Sequence, residues 1–171
     1  RAFYEQLSIA KEFAAADPQD SREIGDMYHA LEEAKDALIT LIDPADPDNV
    51  AYRRPVRSNL SSADAEKVND GDLSTSWSGK FYPSYVDIDL KDTYDISEII
   101  MNFPEGKTLY YTLYGSNDGE HFDEIAQVRS DEAKDAAGDV ITPEGDCSYR
   151  IIRYYAEYTA GESTTYLSEI Q

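Results

Sequence analysis

The segment from Ala63 to Trp77 reads ADAEKVNDGDLSTSW and places Asp70, Asp72 and Thr75 two and three residues apart around Gly71. Such a loop offers carboxylate, hydroxyl and backbone carbonyl oxygens, the mixture that calcium and other hard cations take roughly six to eight at a time. Gly71 permits the tight turn that lets several carbonyls converge. The pattern is not an EF-hand, because the acids do not recur at alternate positions and no Glu closes a twelve-residue loop. The same letters also spell a solvated Asp/Asn/Gly turn, and the loop alone does not choose between the two.

Other chemistries find little support. Cys147 is the single cysteine and sits in a Gly/Asp/Ser turn with no nearby His, so neither an internal disulfide nor an activated thiolate is expected. His29 falls in a helix-period segment and His121 in the turn-like SNDGEHF, which leaves a zinc cluster or a His-centred triad without partners. The 35 Asp and Glu residues supply many carboxylate pairs, yet abundance is not a motif for glycoside hydrolysis, and the chain is not expected to be an enzyme. Against 15 Lys and Arg, those acids set a net charge of −20. That balance excludes nucleic acid and anionic membrane as partners, since both are bound through clustered cations. No run of about 18 apolar residues and no leader is visible. The chain opens at Arg1 rather than Met, so it reads as a processed or excised piece of a longer protein, and its acidity suits an extracytoplasmic setting: periplasm, cell surface or medium.

Two territories must position these residues. From Ala2 to Ile42 apolar side chains recur at helical spacing, first Phe3, Leu7, Ala10, Phe13 and Ala14, then Ile24, Met27, Leu31, Ala34, Leu38 and Leu41. Asp20 and Glu23 stand at capping-box distance and start the second helix near Ser21, giving an antiparallel helical hairpin over residues 1–43. Two single-striped helices cannot bury both stripes alone, so a further helix or a neighbouring domain is expected against them. The Pro-punctuated stretch 44–57 reads as a linker. From Ser58 to Gln171 the period becomes two: in YVDIDL, Val86, Ile88 and Leu90 share one face and Tyr85, Asp87 and Asp89 the other. ISEIIMNF, LYYTLYGS, FDEIAQV, YRIIRYYAEY and YLSEI are further strands between short turns, the pattern of an antiparallel β-sandwich. Most of the tyrosines after position 50 are assigned to packing on half-buried sheet faces.

VNDGDLSTSW, then YVDIDL, YDISEIIMNF, YTLYGSNDGEHFDEI, YRIIRYYAE and a closing LSEI follow one another in an order that resembles the discoidin-like fold. This is the coagulation factor V/VIII C-type domain, represented in bacteria by the family 32 carbohydrate-binding modules. The resemblance covers residues 58–171 and implies a mainly β, galactose-binding-domain-like jelly roll of about eight strands, its core capped by Trp77. It also implies a structural calcium held by the carbonyl of Lys67, the carboxylate of Asp70, the carbonyl of Asp72, Thr75, the carbonyl of Ser168 and the carboxylate of Glu169. Such an ion would pin the entry of the module to its exit. Animal relatives close the domain with a terminal disulfide, which is missing here and favours the bacterial branch. The hairpin is similar to FIVAR-like modules that accompany these sandwiches in secreted glycoside hydrolases, including hexosaminidase- or chitobiase-like proteins.

The resemblance further implies a glycan site at a loop rim near the calcium, where flat rings stack on pyranose faces. The candidates are Lys80, Phe81 and Tyr82 in SGKFYPSY, Glu105 and Lys107 in PEGKT, and Tyr158 with Glu162 in AEYTAGEST. Tyr82 and Tyr158 rank first, because an aromatic in a Gly/Pro loop is harder to explain as core than one on a strand. The loops lack the His and Arg/Asn set of galactose-binding members. The expected function is a noncatalytic carbohydrate-binding accessory module beside a catalytic domain of the same parent protein, raising local glycan concentration. The alternative is a protein-interaction or spacer module that binds no sugar.

Overall fold

In this computed structural model the described residues are 2–16, 20–36, 46–60 and 63–171. The chain divides into two compact units, Arg1–Leu41 and Ile42–Gln171. The first contains α1 (Ala2–Ala15) and α2 (Ser21–Asp36). The carboxylate of Asp20 accepts the N–H of Arg22 at 2.8 Å, so a side chain satisfies one of the orphan donors that open α2. Ala10, Phe13 and Ala14 of α1 face Ile24, Met27, Tyr28 and Leu31 of α2 across an apolar groove. The side chains of Phe3, Leu7 and Ala34, and the positions of Leu38 and Leu41, lie outside the described residues.

The second unit is an antiparallel sandwich. Among the described residues its strands are β1 (Val56–Ser58), β2 (Trp77–Lys80), β3 (Ser84–Asp95), β4 (Ile99–Asn102), β5 (Leu109–Ser116), β6 (Asp123–Arg129), β7 (Asp139–Ile141), β8 (Ser148–Thr159), β9 (Thr164–Leu167) and β10 (Glu169–Ile170), with a 3-10 helix at Ala65–Asn69. They form a five-stranded sheet ordered β1-β3-β8-β5-β6, a three-stranded sheet ordered β10-β4-β7, and the ribbon β2-β9. Val86, Ile88 and Leu90 are buried, as their alternation predicts. They meet Tyr111, Leu113, Ile152 and Tyr154 from the same sheet, and Ile99, Met101 and Ile170 from the other, in one core. Trp77 is fully buried, its ring edge-on to Tyr154 at 6.4 Å. The Tyr154 hydroxyl shares a hydrogen bond with Thr165 Oγ1 at 2.9 Å, so the ribbon is fastened to β8 inside the core.

Two expectations need correction. YLSEI is not one strand, because the chain breaks at Ser168, where the N–H turns to donate to the Asn102 carbonyl at 2.8 Å. Leu167 therefore pairs with Trp77, and Glu169 with Asn102 of another sheet. Nor is 44–57 a linker over its described part. Ala51 is buried, Val50 and Val56 pack on the core, and β1 pairs with β3. The Asn69 amide donates to the carbonyls of Ala51 and Arg54 at 2.7 and 2.9 Å, binding this stretch to the 3-10 helix. The apolar residues are too few and irregular to show a period, yet Val50, Ala51 and Val56 land on the sandwich.

Candidate functional sites

At the entry of β2, the loop after the 3-10 helix folds back on itself. The Asp70 carboxylate accepts the N–H of Asp72 at 2.9 Å and the Thr75 hydroxyl at 3.1 Å, and the Asp72 carbonyl accepts Thr75 Oγ1 at 3.1 Å. Asp72 turns its own carboxylate to Ser74, whose hydroxyl and N–H hold it below the usual carboxylate range. Gly71 has φ +82°, and a Cβ there would meet the Tyr52 ring at 2.9 Å, so both conformation and space require glycine. Its N–H donates to both carboxylate oxygens of Glu169 at 3.3 Å. Positions 71 and 169 therefore meet at the start and finish of the sandwich.

Glu169 is fully buried. A carboxylate taken out of water needs compensating donors or positive charge. Among the described residues no three His, Cys, Asp or Glu side chains converge, so a cation here would depend on carbonyl and hydroxyl oxygens beside two carboxylates. An open cleft of about 630 Å³, with Arg53, Arg54, Glu66 and Lys67 in its lining, reaches Asp70 from solvent.

A second cluster gathers where β2, β5, β8 and β9 begin or end. Phe81 has φ +71°, a strained conformation for a bulky residue, and is held there at both ends of its peptide. Its N–H donates to the Ser163 carbonyl at 2.7 Å and its carbonyl accepts Ser84 Oγ at 2.7 Å. The residue is 68% exposed. Tyr158 is 44% exposed and leans on Tyr110, ring centroids 5.2 Å apart, while the Tyr110 hydroxyl bonds to Asp131. Lys80 is exposed and pairs in register with Thr164.

Tyr82 differs from its expected rank. Its ring packs on the core, and its hydroxyl and Thr159 Oγ1 are buried side by side without completing a well-formed hydrogen bond. Burial is the main cause that raises its pKa. The open rings are thus Phe81 and Tyr158.

Lys107 Nζ donates to Glu162 at 2.5 Å and lies 4.6 Å from the centre of the Tyr166 ring, whose hydroxyl donates to the other Glu162 oxygen at 2.7 Å. These bonds raise the Lys107 pKa and lower that of Glu162, so both stay charged. The Ala160 N–H donates to the Thr108 carbonyl at 3.0 Å, closing the 104–108 and 160–163 turns on each other. Glu105 is exposed on the first of them.

Lys134 is the anchoring residue that the sequence hid. Its N–H donates to the Lys107 carbonyl at 2.7 Å and its carbonyl accepts the Gly106 N–H at 2.9 Å. The buried ammonium reaches Asp139 at 2.6 Å, and Asp139 also accepts the Tyr111 hydroxyl. A lone lysine in the acidic run DEAKDAAGD carries no periodic signal, so only the fold reveals it.

The two clusters are separate. Trp77 and Leu167 close the ribbon at the Asp70 end, Lys80 and Thr164 at the Phe81 end, about 10 Å apart along the strand.

Residues 56–169 match the F5/8 type C domain family. The chain belongs to that family. Its F5/8 type C domain is similar to a family 89 glycoside hydrolase from Clostridium perfringens, solved in complex with 2-acetamido-1,2-dideoxynojirmycin, at 25% identity and TM-score 0.65. That match covers 71% of this chain but 14% of the hydrolase, so the chain spans about a seventh of that protein. A chitosan-binding module of a chitosanase/glucanase from Paenibacillus sp. IK-5, in complex with chitotriose, matches at 22% identity and TM-score 0.61 over 72% of this chain and 98% of the module. The CBM32 module of AlyQ, in complex with 4,5-unsaturated mannuronic acid, matches at 18% identity and TM-score 0.61 over 68% and 91%. No curated protein matches the chain. The F5/8 type C domain thus has the jelly-roll fold of noncatalytic carbohydrate-binding modules.

Proposed function

We propose that this chain is a noncatalytic carbohydrate-binding accessory module of a secreted or surface bacterial glycoside hydrolase, holding a glycan at the rim around Phe81 and Tyr158. The observation that carries the reading is Phe81: a large ring, mostly exposed, fixed in a costly left-handed conformation beside a second open ring. Rings of this kind stack on the C–H face of a pyranose, and loops fastened to each other present them without a large ordering cost. The relatives add context, since one is part of a glycoside hydrolase and others are glycan-bound modules. A glycan array in calcium-containing buffer tests the reading. Phe81→Ala and Tyr158→Ala should each weaken binding to the best glycan by about 1 kcal/mol or more, as expected for a stacking hot spot. Silence across the array, or unchanged titrations in both variants, would count against it.

The same reading gives the Asp70 loop a structural calcium. The carbonyls of Lys67, Asp72 and Ser168, the carboxylates of Asp70 and Glu169 and the Thr75 hydroxyl would hold it. Its charge would offset the buried Glu169 carboxylate and tie the loop to the last strand. The all-oxygen donor set supports calcium over softer metals. Chelation with EDTA should lower the melting temperature and added calcium restore it; identical melting curves in both would remove the ion from the account.

A second reading, a spacer or interaction module that binds no sugar, is favoured by the hairpin, where Ile9, Ile24 and Tyr28 are 50%, 47% and 60% exposed.

A further inference from the structure

The rim carries a matched pair of opposite charges, and that pair bears on which sugar it takes. Lys107 spends one N–H on Glu162 and turns toward the π face of Tyr166. Glu162 receives one bond on each oxygen, from Lys107 and from Tyr166. An ammonium has three donors and a carboxylate about four acceptor sites, so each group keeps hydrogen-bonding capacity. Both side chains remain partly exposed, Lys107 at 28% and Glu162 at 33%. Glu162 lies on the turn that follows Tyr158, and its N–H is fixed to the Thr159 carbonyl at 3.2 Å.

We infer that Lys107 and Glu162 form a diol clamp that selects neutral sugar units: one hydroxyl of a vicinal pair accepts from Lys107 Nζ while its neighbour donates to Glu162, with the ring face against Tyr158. This rests on the reading of the rim as a glycan site and names the ligand class of that site. A donor and an acceptor side by side match a gauche diol, whose two oxygens are about 2.9 Å apart and can each serve one partner. The charges decide between ligand classes. A uronate carboxylate drawn to Lys107, or an ammonium sugar drawn to Glu162, must displace the partner that already holds that group. The displaced partner's charge is then left unpaired, whereas a neutral diol keeps the ion pair intact. The net charge of −20 adds long-range repulsion to polyuronates. Lys80 is the competing feature, since it is exposed and makes no ion pair among the described residues.

The experiment is an NMR titration of the whole chain in calcium buffer with the methyl glycosides of glucose, galactose, mannose, galacturonic acid and glucosamine. The wild-type chain is then titrated with the 2-, 3- and 4-deoxy analogues of the best neutral binder. A neutral glycoside should bind tightest, one adjacent pair of deoxy analogues should each bind about tenfold or more weakly, and Lys107→Met and Glu162→Gln should lose a similar factor. The deoxy analogues keep the test valid even where a variant folds poorly. If a neutral sugar binds with loss only in Tyr158→Ala, and no deoxy pair matters, the clamp is overturned and the rim reading stands. Tightest binding of galacturonide or glucosaminide likewise overturns the clamp alone. No response to any of the five glycosides, with silence on the array, removes both.

Discussion

Glu169 is the most deeply buried acid among the described residues. Fully buried, it receives the Gly71 N–H on both oxygens at 3.3 Å, long for a charged acceptor. If a calcium ion completes its environment, Glu169→Gln should abolish the calcium-dependent rise in melting temperature while the fold persists in circular dichroism; a variant that still gains stability from calcium would place the ion elsewhere. Asp89 provides a separate residue-level test. The Arg150 guanidinium grips it with two bonds at 2.9 Å and holds its pKa well below the carboxylate range, with Lys91 assisting. A depressed folded pKa stabilises above the unfolded value of 3.8, and that stability is lost as pH falls below it. The urea midpoint of the wild type should therefore drop more steeply between pH 5 and pH 2 than that of Arg150→Gln; parallel curves would show that the fork contributes nothing.

At the scale of elements, strands β3 and β8 explain both what the sequence discloses and what it withholds. The alternation in YVDIDL is legible because one face is buried and the other wet. Outside, Asp87 and Asp89 meet Arg153 and Arg150 in two forks, and Arg153 is sandwiched between Tyr85 and Phe122 at 4.1 and 3.7 Å. Short elements such as β1 and β7 have three residues each, too few for a period, and stand only because a longer neighbour pairs with them. The turn at Ser168 was hidden for a related reason: its cause is a carbonyl on Asn102, distant in sequence. At the rim, Tyr82 and Tyr158 ranked first as loop aromatics, yet Tyr158 lies near the end of strand β8, and the burial of Tyr82 and the anchoring by Lys134 depend on tertiary contacts. The ribbon offers the sharpest packing test. A Cβ on Gly79 would stand 2.6 Å from the Trp77 ring and 2.7 Å from Ser84. Gly79→Ala should cost about 1–3 kcal/mol by urea denaturation, and no measurable loss would mean that β2 sits farther from β3.

For the whole molecule, the division at Leu41 separates two kinds of stability. The sandwich buries aromatic and aliphatic residues from both sheets in one core, whereas helices of 14 and 16 residues share a single apolar groove. Isolated helices of that length are marginal in water. A fragment of residues 42–171 should melt cooperatively, and a 1–41 peptide should be weakly helical by circular dichroism. Loss of cooperativity in the larger fragment would make the hairpin part of its core. The sandwich has the F5/8 type C fold shared with noncatalytic carbohydrate-binding modules, on a chain of net charge −20, with the 104–108 and 160–163 turns fastened to each other at one rim. The decisive measurement is a crystal structure of the chain grown with calcium and soaked with the glycan that binds best on the array. A pyranose ring is expected against Tyr158, within reach of Phe81, Lys107 and Glu162; a glycan seated on the outer face of the five-stranded sheet, or in the cleft beside Arg53, would rule out the rim as the glycan site.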